Sequence, residues 1–176
     1  VGSEMCIRDR DILERRVPVT EENPEKSKRG LYKIKDNYLR FWFAFIYPNM
    51  SFIESGHSGI VMDKIRKGLT TSHIGFVYED ICQERMWELN INNAWPFQFY
   101  KLGGYWDAKN EIDIAALDPE GKNLILGECK YWKEPVGLNV LHALETKACD
   151  VAWERDRRKV WYVLFSISGF SDELRN

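Results

Sequence analysis

An aspartate interrupts an apolar run, Ile112-Asp113-Ile114-Ala115-Ala116-Leu117, and a second largely apolar run, Asn123-Leu124-Ile125-Leu126-Gly127-Glu128-Cys129-Lys130, follows after five turn-forming residues. Few local structures other than a β-hairpin accommodate that pattern. Pro119 and Gly121 within Asp118-Pro119-Glu120-Gly121-Lys122 supply the turn chemistry. Strand side chains alternate faces, so Glu128 and Lys130 must project together. Pairing of the two strands would bring Asp113 to the same patch. The expected outcome is two carboxylates and one ammonium converging on one surface.

That trio of side chains suits a divalent cation set against a phosphodiester. A hard cation such as Mg²⁺ takes oxygen ligands and keeps several waters, so one or two carboxylates suffice. The ion would polarise a phosphoryl oxygen and lower the pKa of a bound water. A neighbouring lysine would stabilise charge in the transition state or position the water. Without a cation, carboxylates this close repel, and one of them tends to hold a proton. A Glu-x-Lys pair by itself is a common solvated strand pair, and it is Asp113 one strand earlier that makes this one a candidate site.

With Glu79 on a preceding helix, Asp113 and Glu128-Cys129-Lys130 resemble the PD-(D/E)XK nuclease superfamily. The resemblance implies an α/β fold: an αβββαβ restriction-endonuclease-like core with a mixed central sheet. It also implies Mg²⁺ (or Mn²⁺) and cleavage of nucleic acid, taken here as DNA. Residue by residue, Asp113 and Glu128 become metal ligands, with the Cys129 carbonyl as a main-chain ligand. Lys130 becomes the catalytic lysine and Glu79 the helical carboxylate that supports the metal or its waters. Lys147 falls where some members place a helical Lys or Gln. The Pro that names the motif is absent, since Ile112 precedes Asp113. The chain order agrees with this core. A helix is expected through Tyr78–Trp87, a strand near Phe97–Leu102, then the hairpin. A helix from Leu138 to about Trp153 follows, with Leu138, Leu141, Leu144, Ala148 and Val151 at helical spacing, then a buried-type strand, Lys159–Phe165.

A narrower resemblance runs from about residue 11 to 174. Glu14-Arg15-Arg16-Val17-Pro18, the aromatic block from Tyr38 to Tyr47, and Tyr47-Pro48-Asn49 are similar to the C-terminal part of archaeal-type AAA-like ATPases. That family places an ATPase and a winged helix before a nuclease-like domain of unknown function. The expected organisation is a non-native tail at 1–10, a winged-helix remnant and linker at 11–30, a helical aromatic connector at 31–70 and a C-terminally truncated nuclease-like domain at 71–176. Read from the residues alone, the aromatic block is a helix whose rings build a core, capped by Asp36 and stopped by Pro48. No Gly-x-x-x-x-Gly-Lys-[Ser/Thr] loop occurs, so ATP is not expected to bind this polypeptide. The expected partners are nucleic acid, the missing ATPase and winged-helix domains, and a second copy of the chain.

Composition narrows the alternatives. No apolar run approaches the roughly 20 residues that span a bilayer, and a cytoplasmic location is expected. Cys6, Cys82, Cys129 and Cys149 show no Cys-x-x-Cys spacing, and His57, His73 and His142 are scattered, so neither zinc nor a disulfide framework is indicated. Charge opposes the nuclease reading: from residue 71 onward 12 Lys and Arg face 17 Asp and Glu, a net of −5. Phosphate binding usually needs a basic face. Arg155, Arg157, Arg158 and Lys159 form one basic cluster, readable as a phosphate contact or as a helix end favoured by its dipole. Trp106 and Trp132 flank the expected site as stacking or packing residues. Two other functions remain open: a catalytically inactive nuclease-fold binding or regulatory module, and a protein-docking domain that uses the aromatic helices.

Overall fold

The computed structural model describes residues 12–175, so the tail at 1–10 and Cys6 lie outside the described residues. The chain divides into two compact units, residues 12–16 with 30–77 and residues 17–29 with 78–175.

In the first unit β1 (Leu13–Arg16) pairs antiparallel with β2 (Leu31–Ile34), Leu13 opposite Ile34. Helix α1 (Asn37–Phe41) starts as expected, with Asp36 Oδ1 accepting the Leu39 N–H at 2.8 Å. Pro48 does not stop the chain's winding. It sits in the first turn of a 3-10 segment, Tyr47–Asn49, where a missing N–H costs little. A π turn, Trp42–Ile46, precedes this segment, and α2 (Met50–Glu54) and α3 (Ser58–Leu69) follow. The aromatic block does not pack wholly inward. Phe45 is buried, whereas Tyr38, Phe43 and Tyr47 are exposed. Their rings pair along the helix surface instead, Tyr38 stacking on Trp42 and Phe43 edge-on to Tyr47.

The second unit has the expected αβββαβ order. Helix α4 (Gly75–Ile91) enters it from Tyr78 onward, and β3 (Lys101–Trp106), β4 (Glu111–Leu117), β5 (Asn123–Lys130), α5 (Leu138–Asp150) and β6 (Lys159–Ser166) follow. The sheet order is β3-β4-β5-β6, antiparallel through β5 and parallel between β5 and β6, with α5 as the crossover. It is an α/β fold on a mixed sheet. A short helix, α6 (Asp172–Arg175), ends the described chain.

The sheet's two faces carry two cores. Ala115, Leu117, Leu124 and Leu126 pack with Leu144, Ala148 and Val151 of the α5 region on one face. Ile114, Ala116 and Ile125 pack with Cys82 and Met86 of α4 on the other. Each fully buried Leu or Ile contributes about 1.5–3 kcal/mol. Val19 joins the first core, and its N–H donates to the Gly104 carbonyl at 2.9 Å.

Three expectations shift. The first strand of the sheet starts at Lys101 rather than near Phe97, because the Asn90 side chain takes both the N–H and the carbonyl of Phe99 and leaves nothing there for a ladder. Helix α5 stops at Asp150 instead of Trp153, its last carbonyls bonded by Arg158. Strand β6 is an edge strand of mostly half-buried residues rather than a fully buried one.

Candidate active site

The hairpin turn is built by Asp118. Its Oδ1 accepts the N–H groups of Glu120 and Lys122, its Oδ2 accepts from Asn123 Nδ2, and Gly121 takes the left-handed conformation. From there the ladder runs Leu117 opposite Leu124 to Ile114 opposite Gly127, and ends. On its other side β4 is irregular. Gly103 faces Ala115 but Tyr105 faces Ile112, so β4 has one residue more than β3 over this stretch. Asp113 lies inside that bulge, a device that re-aims a side chain. Its Oδ2 accepts the Cys129 N–H at 2.8 Å, continuing β4–β5 contact by side chain where the backbone ladder stops.

Glu128 and Lys130 project together to the face that carries α5. Lys130 Nζ contacts Glu128 Oε2 and lies 3.8 Å from Asp113 Oδ2. Lys147, from the last turn of α5, donates to Glu128 Oε1 at 2.6 Å and to the Glu111 carbonyl at 2.7 Å. The Glu128 side chain is only 5% exposed, so its charge needs these two ammonium groups. From α4, Gln83 Nε2 donates to the Asp113 carbonyl at 3.2 Å. On the α4 face of the sheet Cys82 and Cys129 lie together in one buried cluster.

The two carboxylates sit in different electrostatic states. Burial and the Glu128 charge push Asp113 up to about 6, against the pull of the Cys129 N–H and of Lys130 and Lys147. Burial acts to raise Glu128 as well, but its hydrogen bonds to Lys130 and Lys147 outweigh that and hold it below the usual glutamate value. Burial alone would lower Lys130, yet Glu128 and Asp113 raise it. Cys129 is pushed up by its bond to Cys82 and by burial, so it stays a thiol.

Four side chains therefore come together: Asp113, Glu128, Lys130 and Lys147. Glu79 is on α4, one turn before Gln83, and its charge acts on the Cys82 and Cys129 thiols. Among the described residues no three His, Cys, Asp or Glu side chains form a metal-holding group. Periodicity in the sequence did not reveal Gln83, which is an ordinary polar helix residue until α4 docks on β4. The cluster can hold a compact cation, since two carboxylates already reach a single positive centre, Lys130 Nζ. It can also orient a phosphoryl oxygen or a water through two ammonium groups. No helix among the described residues is long and apolar enough to cross a membrane.

Two residues of the basic cluster after α5 have structural uses. Arg158 donates to the carbonyls of Ala148, Val151 and Trp153, and Arg157 pairs with Glu154. Trp106 is committed too, its indole N–H bonded to the Arg29 carbonyl at 3.0 Å.

Residues 42–149 match DUF234, a family described as archaea bacterial proteins of unknown function. An uncharacterized protein of Methanocaldococcus jannaschii is 40% identical over 124 residues, which are 70% of this chain. The chain spans about a quarter, 27%, of that relative's length. No solved structure matches the chain significantly.

Proposed function

The chain belongs to this family of archaeal and bacterial proteins of unknown function, and we propose that its second unit hydrolyses phosphodiester bonds in nucleic acid, DNA first among them, as a PD-(D/E)XK-type domain. The observation that carries the reading is the convergence of Asp113 and Glu128 on one cationic centre, at the point where β4 and β5 part. The donor set fits Mg²⁺ or Mn²⁺, because both groups are hard carboxylate oxygens and two of them suffice. Bound there, the ion would supply Lewis-acid polarisation of the phosphoryl group and a more acidic water.

The chain's own residues divide the remaining work. The Cys129 N–H fixes the Asp113 carboxylate, and Lys147 fixes that of Glu128. Lys130, whose ammonium lies between Glu128 and Asp113, would offer that ammonium to the phosphoryl oxygens or to the attacking water. Glu79 and the Cys129 carbonyl keep the supporting roles that the resemblance assigns them. An ATPase with a winged helix is the proposed neighbour in the whole protein, and the cytoplasm its proposed location.

A second reading has its own support. Both Glu128 oxygens are held by lysines, and a closed quartet of this kind can equally pin α5 to the sheet in an inactive binding or regulatory module. Calorimetry with Mg²⁺ and Mn²⁺ separates the two. The nuclease reading expects binding that is lost in both Asp113→Ala and Glu128→Ala, together with cleavage of labelled DNA. Equal heats in all three proteins, each shown to be folded, would sink it.

A further inference from the structure

Resting on that reading of the site, we propose that the domain takes single-stranded or frayed nucleic acid, with an unpaired base stacked on Trp132. Trp132 follows Lys130 by two residues and is 47% exposed. The Lys130 ammonium lies 5.6 Å from its ring centroid, so the indole borders the acid–lysine cluster directly. Its backbone is held: Ser168 Oγ donates to the Trp132 carbonyl at 2.5 Å. The preceding ring, Tyr131, is committed to α4, edge-on to Tyr78 at 5.6 Å. Trp132 is thus anchored by its main chain, touched by the site lysine and left with open ring surface.

The charge balance favours the same class of substrate. A net of −5 from residue 71 onward cannot supply the row of phosphate contacts by which a duplex is gripped. Within the basic cluster that might have supplied it, Arg158 is spent on the end of α5, Arg157 pairs with Glu154 and the Lys159 ammonium lies over the Trp161 ring. Stacking draws affinity from the base rather than the phosphates and so tolerates an acidic domain. A base inside a duplex has both faces covered by its neighbours, so only an unpaired or terminal base can present one to an indole. The nucleotide stacked there would sit beside the phosphate that Lys130 contacts. Specificity then lies in strand state, with no base-edge reading required.

The test is fluorescence anisotropy with a labelled oligodeoxynucleotide of about twelve bases, single-stranded or annealed as a blunt duplex, in EDTA over a salt series. The single strand should bind more tightly than the duplex. Trp132→Ala should weaken single-strand binding by about 5- to 150-fold, and Trp132→Phe should recover most of it. The salt slope should be the same for all three proteins, since no phosphate contact is removed. Equal binding by Trp132→Ala, tighter binding of the duplex, or no binding by the wild type would each overturn the proposal. Failure of the hydrolytic reading registers separately. Trp132-dependent binding without metal-dependent cleavage would leave a single-strand binding module, whereas cleavage indifferent to Trp132 would leave a nuclease without this stacking platform.

Discussion

Among the described residues Asp113 is a carboxylate pushed upward, where Glu21, Asp107, Asp118 and Glu128 are held down, and its protonation can be followed through stability. Its folded value of about 6 exceeds the ordinary 3.8. Below about pH 4 the group is protonated in both folded and unfolded chains and makes no difference. Between about pH 4 and 6 the folded protein keeps a proton that the unfolded chain has released, so stability falls as pH rises. The full loss, present above about pH 6, is on the order of 3 kcal/mol. Asp113→Asn should therefore melt above the wild type at pH 7 without metal, with the gap closing toward pH 4 in a circular-dichroism series. A pH-independent gap would contradict this account. Asp113, Glu128 and Lys130 could be placed together from the sequence because strand alternation and one turn determine their faces. The bulge around Asp113 could not. Strand β4 is apolar on both faces, so its residue pattern carries no phase from which an extra residue could be noticed. Lys147 was reachable only through the resemblance, and the meeting of Cys82 with Cys129 depends on how α4 docks, which no spacing along the chain encodes.

Among the elements, β5 has the least room. A Cβ on Gly127 would lie 2.5 Å from Val163 Cγ1, 2.9 Å from the Val163 carbonyl oxygen and 3.2 Å from Ile114 Cβ. All three are main-chain or branched groups, and none is the far end of a flexible side chain that could swing aside. Gly127→Ala should cost about 1–3 kcal/mol in urea unfolding, and it should also weaken any metal binding, because Glu128 is the next residue. A variant of wild-type stability would mean that β6 can retreat from β5. Helix α5 depends on a single residue for its C-terminal end. Arg158 serves three carbonyls there, and half-buried carbonyls without donors are expensive. Arg158→Ala should lose about 1–3 kcal/mol by the same measurement, with Arg158→Lys recovering only part, since one ammonium cannot reproduce the guanidinium fork. The αβββαβ order was legible through the resemblance, supported by the helical spacing of Leu138–Val151 and the marked turn between β4 and β5, whereas β3, with two glycines and no apolar period, was placed four residues too early. The exposed rings of the aromatic block were not, since an i,i+4 pair of aromatics looks the same in sequence whether it faces a core or solvent.

Across the molecule, apolar burial is unevenly shared. The second unit holds two clusters on opposite faces of its sheet, whereas Phe45 and Val61 are the buried large apolar residues among those described in 30–77. Local opening free energy follows burial. In native-state hydrogen exchange the amides of α1 to α3 should exchange through lower-energy openings than those of β4 and β5. Equal protection in both units would mean that contacts beyond these clusters steady the helices. The route by which the sheet closes has a consequence for its charges. The Asp118–Lys122 turn joins β4 to β5 across five residues, while 28 residues separate β5 from β6. Closing the longer span costs about 1.5 kcal/mol more in chain entropy, so the hairpin is the natural early event and the docking of α5 a later one. Asp113 and Glu128 consequently meet before Lys147 can reach them. Lys130 travels on the same hairpin, two residues from Glu128, and is the escort that keeps two like charges together until the rest of the chain arrives.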